Sequence, residues 1–187
     1  MLKIILNRLK PQAEKIIAEE QAGFRARMST TEQIFNLLIL CEKYLLHQQD
    51  LHHVFIDFKK AFDIFLDSII TDALEDHEGT VSIGGRTITN LRFADDTDGL
   101  AGEEEELAKL VKHLDRASTA YDMDISAEKT KLMTNNTSGI NTEIKVNGQK
   151  LETVTSFKYL GSVITDEGSK PKILSRIAQV TSALTQG

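Results

Sequence analysis

An α+β fold, with helices packed on an antiparallel sheet, is the class this sequence predicts, and three observations predict it. Segments with apolar residues at helical spacing share the chain with short aromatic and β-branched runs. Asn147-Gly148 sits between two such runs, the favoured chemistry of a two-residue hairpin turn. Two further runs, Val54-Phe55-Ile56-Asp57-Phe58 and Arg92-Phe93-Ala94-Asp95-Asp96, carry apolar residues into aspartate. Helices packed on an antiparallel sheet imply an α+β layer architecture.

Taken in order, Leu2, Ile5, Leu6 and Leu9 predict a first helix, and Pro11 starts a second helical turn anchored by Ile16 and Ile17. Residues 21–28 read as a loop carrying Gly23, Arg25 and Arg27. Ser29-x-x-Glu32 is a capping box opening a helix with Ile34, Leu37, Leu38, Cys41 and Leu45 on one face. Residues 54–58 form a short buried strand, and Phe65, Leu66, Ile69, Ile70, Ala73 and Leu74 give a helical period. Val81-Ser82-Ile83, Gly84-Gly85 and Thr87-Ile88 suggest a hairpin feeding a strand over 91–94. A helix over 103–118 turns Leu107, Leu110, Val111 and Leu114 inward, its leading glutamates suiting a helix N-terminus. A hairpin over 142–153, one more strand over 157–164 and a helix from Ser169 and Pro171 with Ile173, Ile177 and Leu184 complete the chain.

The 187 residues suffice for one domain or somewhat more, and 41% apolar with 27% charged residues is ordinary for a soluble protein. Cys41 is the sole cysteine, which excludes a disulfide framework and a cysteine zinc site and suggests a buried small side chain on a helix. No apolar run reaches membrane-span length and the start is charged too soon for a signal peptide. The default is therefore an intracellular protein, nucleus or cytoplasm, with no membrane partner. The formal charge of −6 counts against strong autonomous nucleic-acid binding, leaving local groups such as Arg25/Arg27 or Lys170/Lys172/Arg176 for any such contact.

Three carboxylates on two neighbouring strands, Asp57 with Asp95 and Asp96, can bind and bridge two hard cations. The plain alternative is a polar hairpin turn at Asp95-Asp96 and a strand-end cap at Asp57. His52-His53 reads as a surface or strand-end pair, Asp72, Glu75, Asp76 and Glu78 as a solvated helix end, and residues 103–106 as a charged face.

The neighbourhood of those aspartates resembles the reverse transcriptases of non-LTR (LINE-type) retrotransposons. Glu20-Gln21-Ala22-Gly23-Phe24-Arg25 with Thr30-Thr31-Glu32-Gln33-Ile34 resembles their fingers–palm segment. Phe55-Ile56-Asp57-Phe58-Lys59-Lys60-Ala61-Phe62-Asp63 is similar to the first catalytic motif, and Phe93-Ala94-Asp95-Asp96 to the second. Ile125-Ser126-Ala127-Glu128-Lys129-Thr130-Lys131 and Phe157-Lys158-Tyr159-Leu160-Gly161 resemble the lysine-bearing motif and the primer grip. The resemblance implies a polymerase palm that joins dNTPs to a DNA primer on an RNA template with two Mg2+ ions. It makes Asp57 and Asp95 the principal Mg2+ ligands with Asp96 assisting, and places Arg25, Phe58 and Phe62 at the nucleotide, Phe62 as the steric gate. Lys129 would approach the leaving pyrophosphate, or be a solvated surface lysine. Tyr159, Leu160 and Gly161 would lie against the primer, a core Tyr159 being equally open.

The resemblance also implies gaps. Asp57 and Asp95 lie only 38 positions apart, and Ala61-Phe62-Asp63 runs straight into Ile64-Phe65-Leu66-Asp67, so a nucleotide-positioning turn is missing and a seam falls near 63–64. Phe62 then fits either the gate or a helix face. The expected organisation is a helical fingers–palm remnant over 1–53, a palm with the aspartate motifs over 54–134, and a primer-grip-like hairpin or strand with a terminal helix over 135–187, the fingers incomplete and the thumb absent. The expected function is a reverse-transcriptase fragment that is catalytically defective; the alternative is a non-catalytic, retroelement-derived module binding RNA or protein. Another palm-type phosphotransferase, such as a nucleotide cyclase, shares the two-metal logic but lacks the outer blocks.

Overall fold

The computed structural model describes residues 29–59, 63–74, 77 and 79–168. The helices expected before Ser29, the loop with Arg25, the gate candidate Phe62 and the helix expected from Ser169 lie outside them.

Helix α1 (Thr30–Leu46) starts where the capping box places it: Ser29 Oγ accepts from Glu32 N–H at 3.2 Å, and the Glu32 carboxylate accepts from Ser29 N–H at 2.9 Å. Such a cap contributes about 1 kcal/mol. The buried stripe is Gln33, Leu37, Leu40, Cys41 and Tyr44, rotated from the expected face, and Ile34, Leu38 and Leu45 are only half-buried. Gln33 and Tyr44 can turn inward because their polar tips meet backbone. Gln33 Nε2 donates to the Arg92 carbonyl at 3.4 Å, and the Tyr44 hydroxyl accepts from Ser82 N–H at 3.0 Å.

A five-stranded sheet lies against this helix in the order β4 (Asn90–Phe93), β5 (Asp96–Ala101), β1 (His52–Ile56), β6 (Lys131–Thr134), β9 (Glu152–Thr153). All neighbours are antiparallel except β6 and β9. The central strand starts two residues earlier than expected, and Phe58 forms only an isolated bridge with Ile125. Every residue of β1 is buried, because the sheet is covered on both faces. Val54 and Ile56 join Ile69, Ile70, Leu107, Leu110 and Leu114 beneath α2 (Asp63–Leu74) and α3 (Glu104–Ala120). Phe55 joins Leu37, Leu40 and Tyr44 of α1 on the other face. Each such apolar side chain contributes about 1.5–3 kcal/mol on burial. Gly99 lets α3 approach: a Cβ there would stand 2.7 Å from Val54 Cγ1 and 2.9 Å from Leu110 Cδ2.

Short hairpins complete the domain. β2 (Ser82–Ile83) and β3 (Arg86–Thr87) turn at Gly84-Gly85, and β7 (Lys145–Val146) and β8 (Gln149–Lys150) turn at Asn147-Gly148 with φ of +50° and +75°. The segment expected as one strand over 157–164 is instead a hairpin. β10 (Ser156–Tyr159) pairs with β11 (Ser162–Thr165) around Leu160 and Gly161, both at positive φ. Phe157 stacks on Phe55 with ring centroids 4.2 Å apart, which fixes the hairpin on the α1 face. No helix among the described residues is long and apolar enough to cross a membrane.

Candidate active site

Strand order and register bring the two aspartate motifs together. The β1–β5 ladder ends with Ile56 opposite Thr97, so Asp57 and Asp96, the next residue on each side, lie at the same end of the sheet. Opposed residues on antiparallel strands stand about 4.5–5.5 Å apart at Cα. Asp95 belongs to the two-residue turn between β4 and β5, whose strands close with Phe93 opposite Asp96. That turn holds Ala94 at φ +58°, a left-handed conformation costing a non-glycine residue about 1–2 kcal/mol. Strain of this kind persists where surrounding structure over-determines the backbone.

The electrostatics record the crowding. Desolvation at its base pushes the Asp96 carboxyl above its usual range, and the charges of Asp95 and Asp57 push it the same way. Asp57 is half-buried, and its Oδ1 is shielded from solvent and takes no hydrogen bond. Lys129 Nζ stands 3.4 Å from that oxygen. The lysine comes from the loop after α3, and the backbone holds it there: Ser126 N–H donates to the Asp57 carbonyl at 2.7 Å, and Asp57 N–H donates to Thr130 Oγ1 at 3.2 Å. Asp57 and Lys129 thus form an ion pair at the end of the sheet where Asp95 and Asp96 also lie.

Other expected site residues stand elsewhere. Phe58 is buried against the α2/α3 core, on the opposite side of the strand from Asp57. Tyr159 is core: it is 1% exposed, and its hydroxyl donates to the Leu91 carbonyl at 3.1 Å, tying β10 to β4. Burial, with the nearby charges of Asp98 and Asp96, pushes its phenol well up. Leu160 and Gly161 form the turn beyond it. A cleft of about 560 Å³ opens away from the carboxylates, among residues such as Leu45, Asn135, Asn136 and Thr155.

One arrangement escaped the sequence reading. His52 and His53 do open a strand, as the first two residues of β1, but they are no surface pair: they are 1% and 2% exposed. His53 Nδ1–H donates to Asp98 Oδ2 at 3.0 Å, and Cys41 Sγ lies 3.8 Å from Nε2. Burial opposes a charge on His53, but the Asp98 carboxylate overrides it and raises the imidazole pKa to about 10. Burial pushes the Asp98 carboxyl up, and the imidazolium draws it back only in part. The polar Thr97-Asp98-Gly99 was the available signal, but only the β1–β5 register names its partner. The glutamates of 103–106 likewise divide. Glu106 is buried, accepts from Thr80 N–H and Gly102 N–H and bonds Thr80 Oγ1, while Glu104 accepts from Asn141 N–H and Thr142 N–H.

A hard divalent ion suits the donor set, which is carboxylate oxygen throughout. Asp57 Oδ1 accepts no hydrogen bond beyond its ion pair with Lys129, and desolvation followed by the charges of Asp95 and Asp57 pushes the Asp96 carboxyl up. Among the described residues, no three His, Cys, Asp or Glu side chains form a metal-holding group. Neither a protein-family model nor a curated protein matches this chain.

Proposed function

We propose that this chain is a palm fragment of a retrotransposon-type RNA-directed DNA polymerase that keeps the divalent-cation carboxylates and has lost effective nucleotidyl transfer. The observation that carries it is the meeting of Asp57 with Asp95-Asp96 at adjoining strand ends, with Lys129 Nζ 3.4 Å from Asp57. Asp57, Asp95 and Asp96 would hold Mg2+, which in the parent chemistry polarises the triphosphate and the primer hydroxyl. The loss follows from the 38-position interval between Asp57 and Asp95, which leaves no place for the nucleotide-positioning turn of the resembling enzymes. Orientation and preorganised electrostatics each lower such barriers by several kcal/mol, and tenfold in rate is about 1.36 kcal/mol.

Primer extension on an RNA template with dNTPs and Mg2+ tests this beside Mg2+ titration. The expected result is Mg2+ binding that Asp95→Asn/Asp96→Asn abolishes, with no extension product above that variant. Robust magnesium-dependent extension would overturn the loss, and absence of carboxylate-dependent Mg2+ binding would overturn the palm reading. A second reading, a non-catalytic protein-binding module, is favoured by one observation: Phe35, Ile39 and Leu46 on α1 are 61%, 41% and 79% exposed. Self-association or partner binding lost in Phe35→Ser/Leu46→Ser would support it. RNA binding is the weaker form of that reading at a net charge of −6, and salt-sensitive binding to single-stranded RNA would be its signature.

A further inference from the structure

We propose that Cys41, aligned by His53 and Asp98, is a nucleophilic thiol site that takes hydrogen peroxide through the cleft beside α1. The proposal is independent of the palm reading and uses groups which that reading leaves idle.

Three buried residues from three elements line up. Cys41 of α1 places Sγ 3.8 Å from His53 Nε2, and His53 Nδ1–H donates to Asp98 Oδ2 of β5 at 3.0 Å. Nucleophile, imidazole and orienting carboxylate in this order form a chain that activates a thiol. The imidazole is steadied by Phe55, whose ring lies parallel to it at 5.6 Å. Burial opposes its charge, the Asp98 carboxylate prevails, and the ring stays cationic up to about pH 10. A cation beside sulfur favours the reactive thiolate. Packing alone does not ask for this arrangement, because apolar side chains of similar volume fill a core without burying two charges.

The second observation is a space. Cys41 and His53 both line a chamber of about 10 Å³. Leu45, Asn135 and Asp166 line this chamber and also the cleft of about 560 Å³, so the cleft is the way in. A free volume of that size takes about one water-sized group at the sulfur. A peroxide oxygen fits there, and an aryl hydroperoxide does not. The thiolate attacks one peroxide oxygen: the S–O bond forms as the O–O bond breaks, and sulfur gives up the two electrons that reduce the peroxide. The departing hydroxide takes the His53 Nε2 proton and leaves as water, and solvent returns a proton to the ring. The product is a sulfenic acid, and the sequence holds no second cysteine to convert it into an internal disulfide.

The experiment exposes the full chain to hydrogen peroxide at pH 7, quenches with catalase, unfolds it in urea and traps sulfenic acid with dimedone for intact-mass measurement. Dimedone ignores Met133, whose thioether also lines the chamber. The same reaction is run on chain already unfolded in urea, where Cys41 is an ordinary thiol. With hydrogen peroxide the folded chain is expected to react at least about tenfold faster than the unfolded one, and with cumene hydroperoxide at least about tenfold slower. His53→Gln or Asp98→Asn, taken where it melts cooperatively, is expected to lose at least about tenfold of the folded rate. A folded rate with hydrogen peroxide no greater than the unfolded one would overturn the site and leave a shielded thiol, whatever the variants do. Equal folded rates with the two peroxides would overturn entry through the chamber. A full rate in a cooperatively melting His53→Gln would overturn the part played by the imidazole, and with it the proposal.

Discussion

Replacing His53 by Leu isolates the most consequential polar pair in the core. Asp98 is fully buried, and its Oδ2 takes the His53 Nδ1–H bond at 3.0 Å while Oδ1 has no partner. Without the imidazolium, the carboxyl must be protonated to stay buried. Holding an acid with an ordinary pKa of about 3.9 neutral at pH 7 costs about 4 kcal/mol, and at pH 5 about 1.5 kcal/mol. For a domain of this size the pH 7 deficit lowers Tm by about 8–16 °C. The assay is urea unfolding followed by circular dichroism at pH 5 and pH 7, on His53→Leu, Asp98→Leu and the double variant. The double variant leaves no buried charge and is expected to recover most of the deficit. In the unaltered chain the sign is opposite on the alkaline side. His53 titrates at about 10 when folded, so its contribution is complete below pH 6.5 and is lost as pH rises through about 10. The double variant lacks that loss. A His53→Leu deficit below about 1 kcal/mol at pH 7, or one independent of pH, would refute the reasoning.

Other outcomes follow from single contacts. Ala94→Gly relieves the φ of +58° and is expected to raise stability by up to about 1 kcal/mol in denaturant titrations; a loss would show that the turn is unstrained. Asp96→Asn removes a carboxyl whose pKa is raised by desolvation and by Asp95 and Asp57. Its gain is present at pH 7 and vanishes as the solution is acidified below the ordinary carboxylate range, amounting to a few tenths of a kcal/mol because Asp96 remains exposed and screened. Mg2+ is expected to raise the Tm of the unaltered chain and not of Asp95→Asn/Asp96→Asn, by linkage of about 1.4 kcal/mol at ten times the dissociation constant. Glu106→Ala removes the acceptor of the part-buried Thr80 and Gly102 N–H bonds and is expected to cost about 1–2 kcal/mol by thermal melting, whereas Glu105→Ala on the exposed side changes little.

What could be read from residues alone was local. Ser29 and Glu32 state a helix start because both ends of the capping box lie within one turn, and Asn147-Gly148 states a hairpin because only two residues need a left-handed backbone. Leu107, Leu110, Val111 and Leu114 declare the inner face of α3 because its polar and apolar sides are cleanly separated. Helix α1 was legible in extent but not in rotation. Gln33 and Tyr44 are buried through backbone partners on β4 and β2, which no spacing rule anticipates.

The aspartates themselves were legible as strand-end carboxylates, and that much the sequence determined. Period-two alternation says which side chains share a face, but it is silent on which strand lies alongside and in what register. Packing of β1 between β5 and β6, with helices over both faces, decided those questions. That register brought Asp57 and Asp96 to one end of the sheet, put Lys129 beside Asp57, and drew His53 inward onto Asp98. A one-residue slip would send Asp57 and His53 to the opposite face of the sheet, so the site belongs to the tertiary structure even though its residues belong to the sequence.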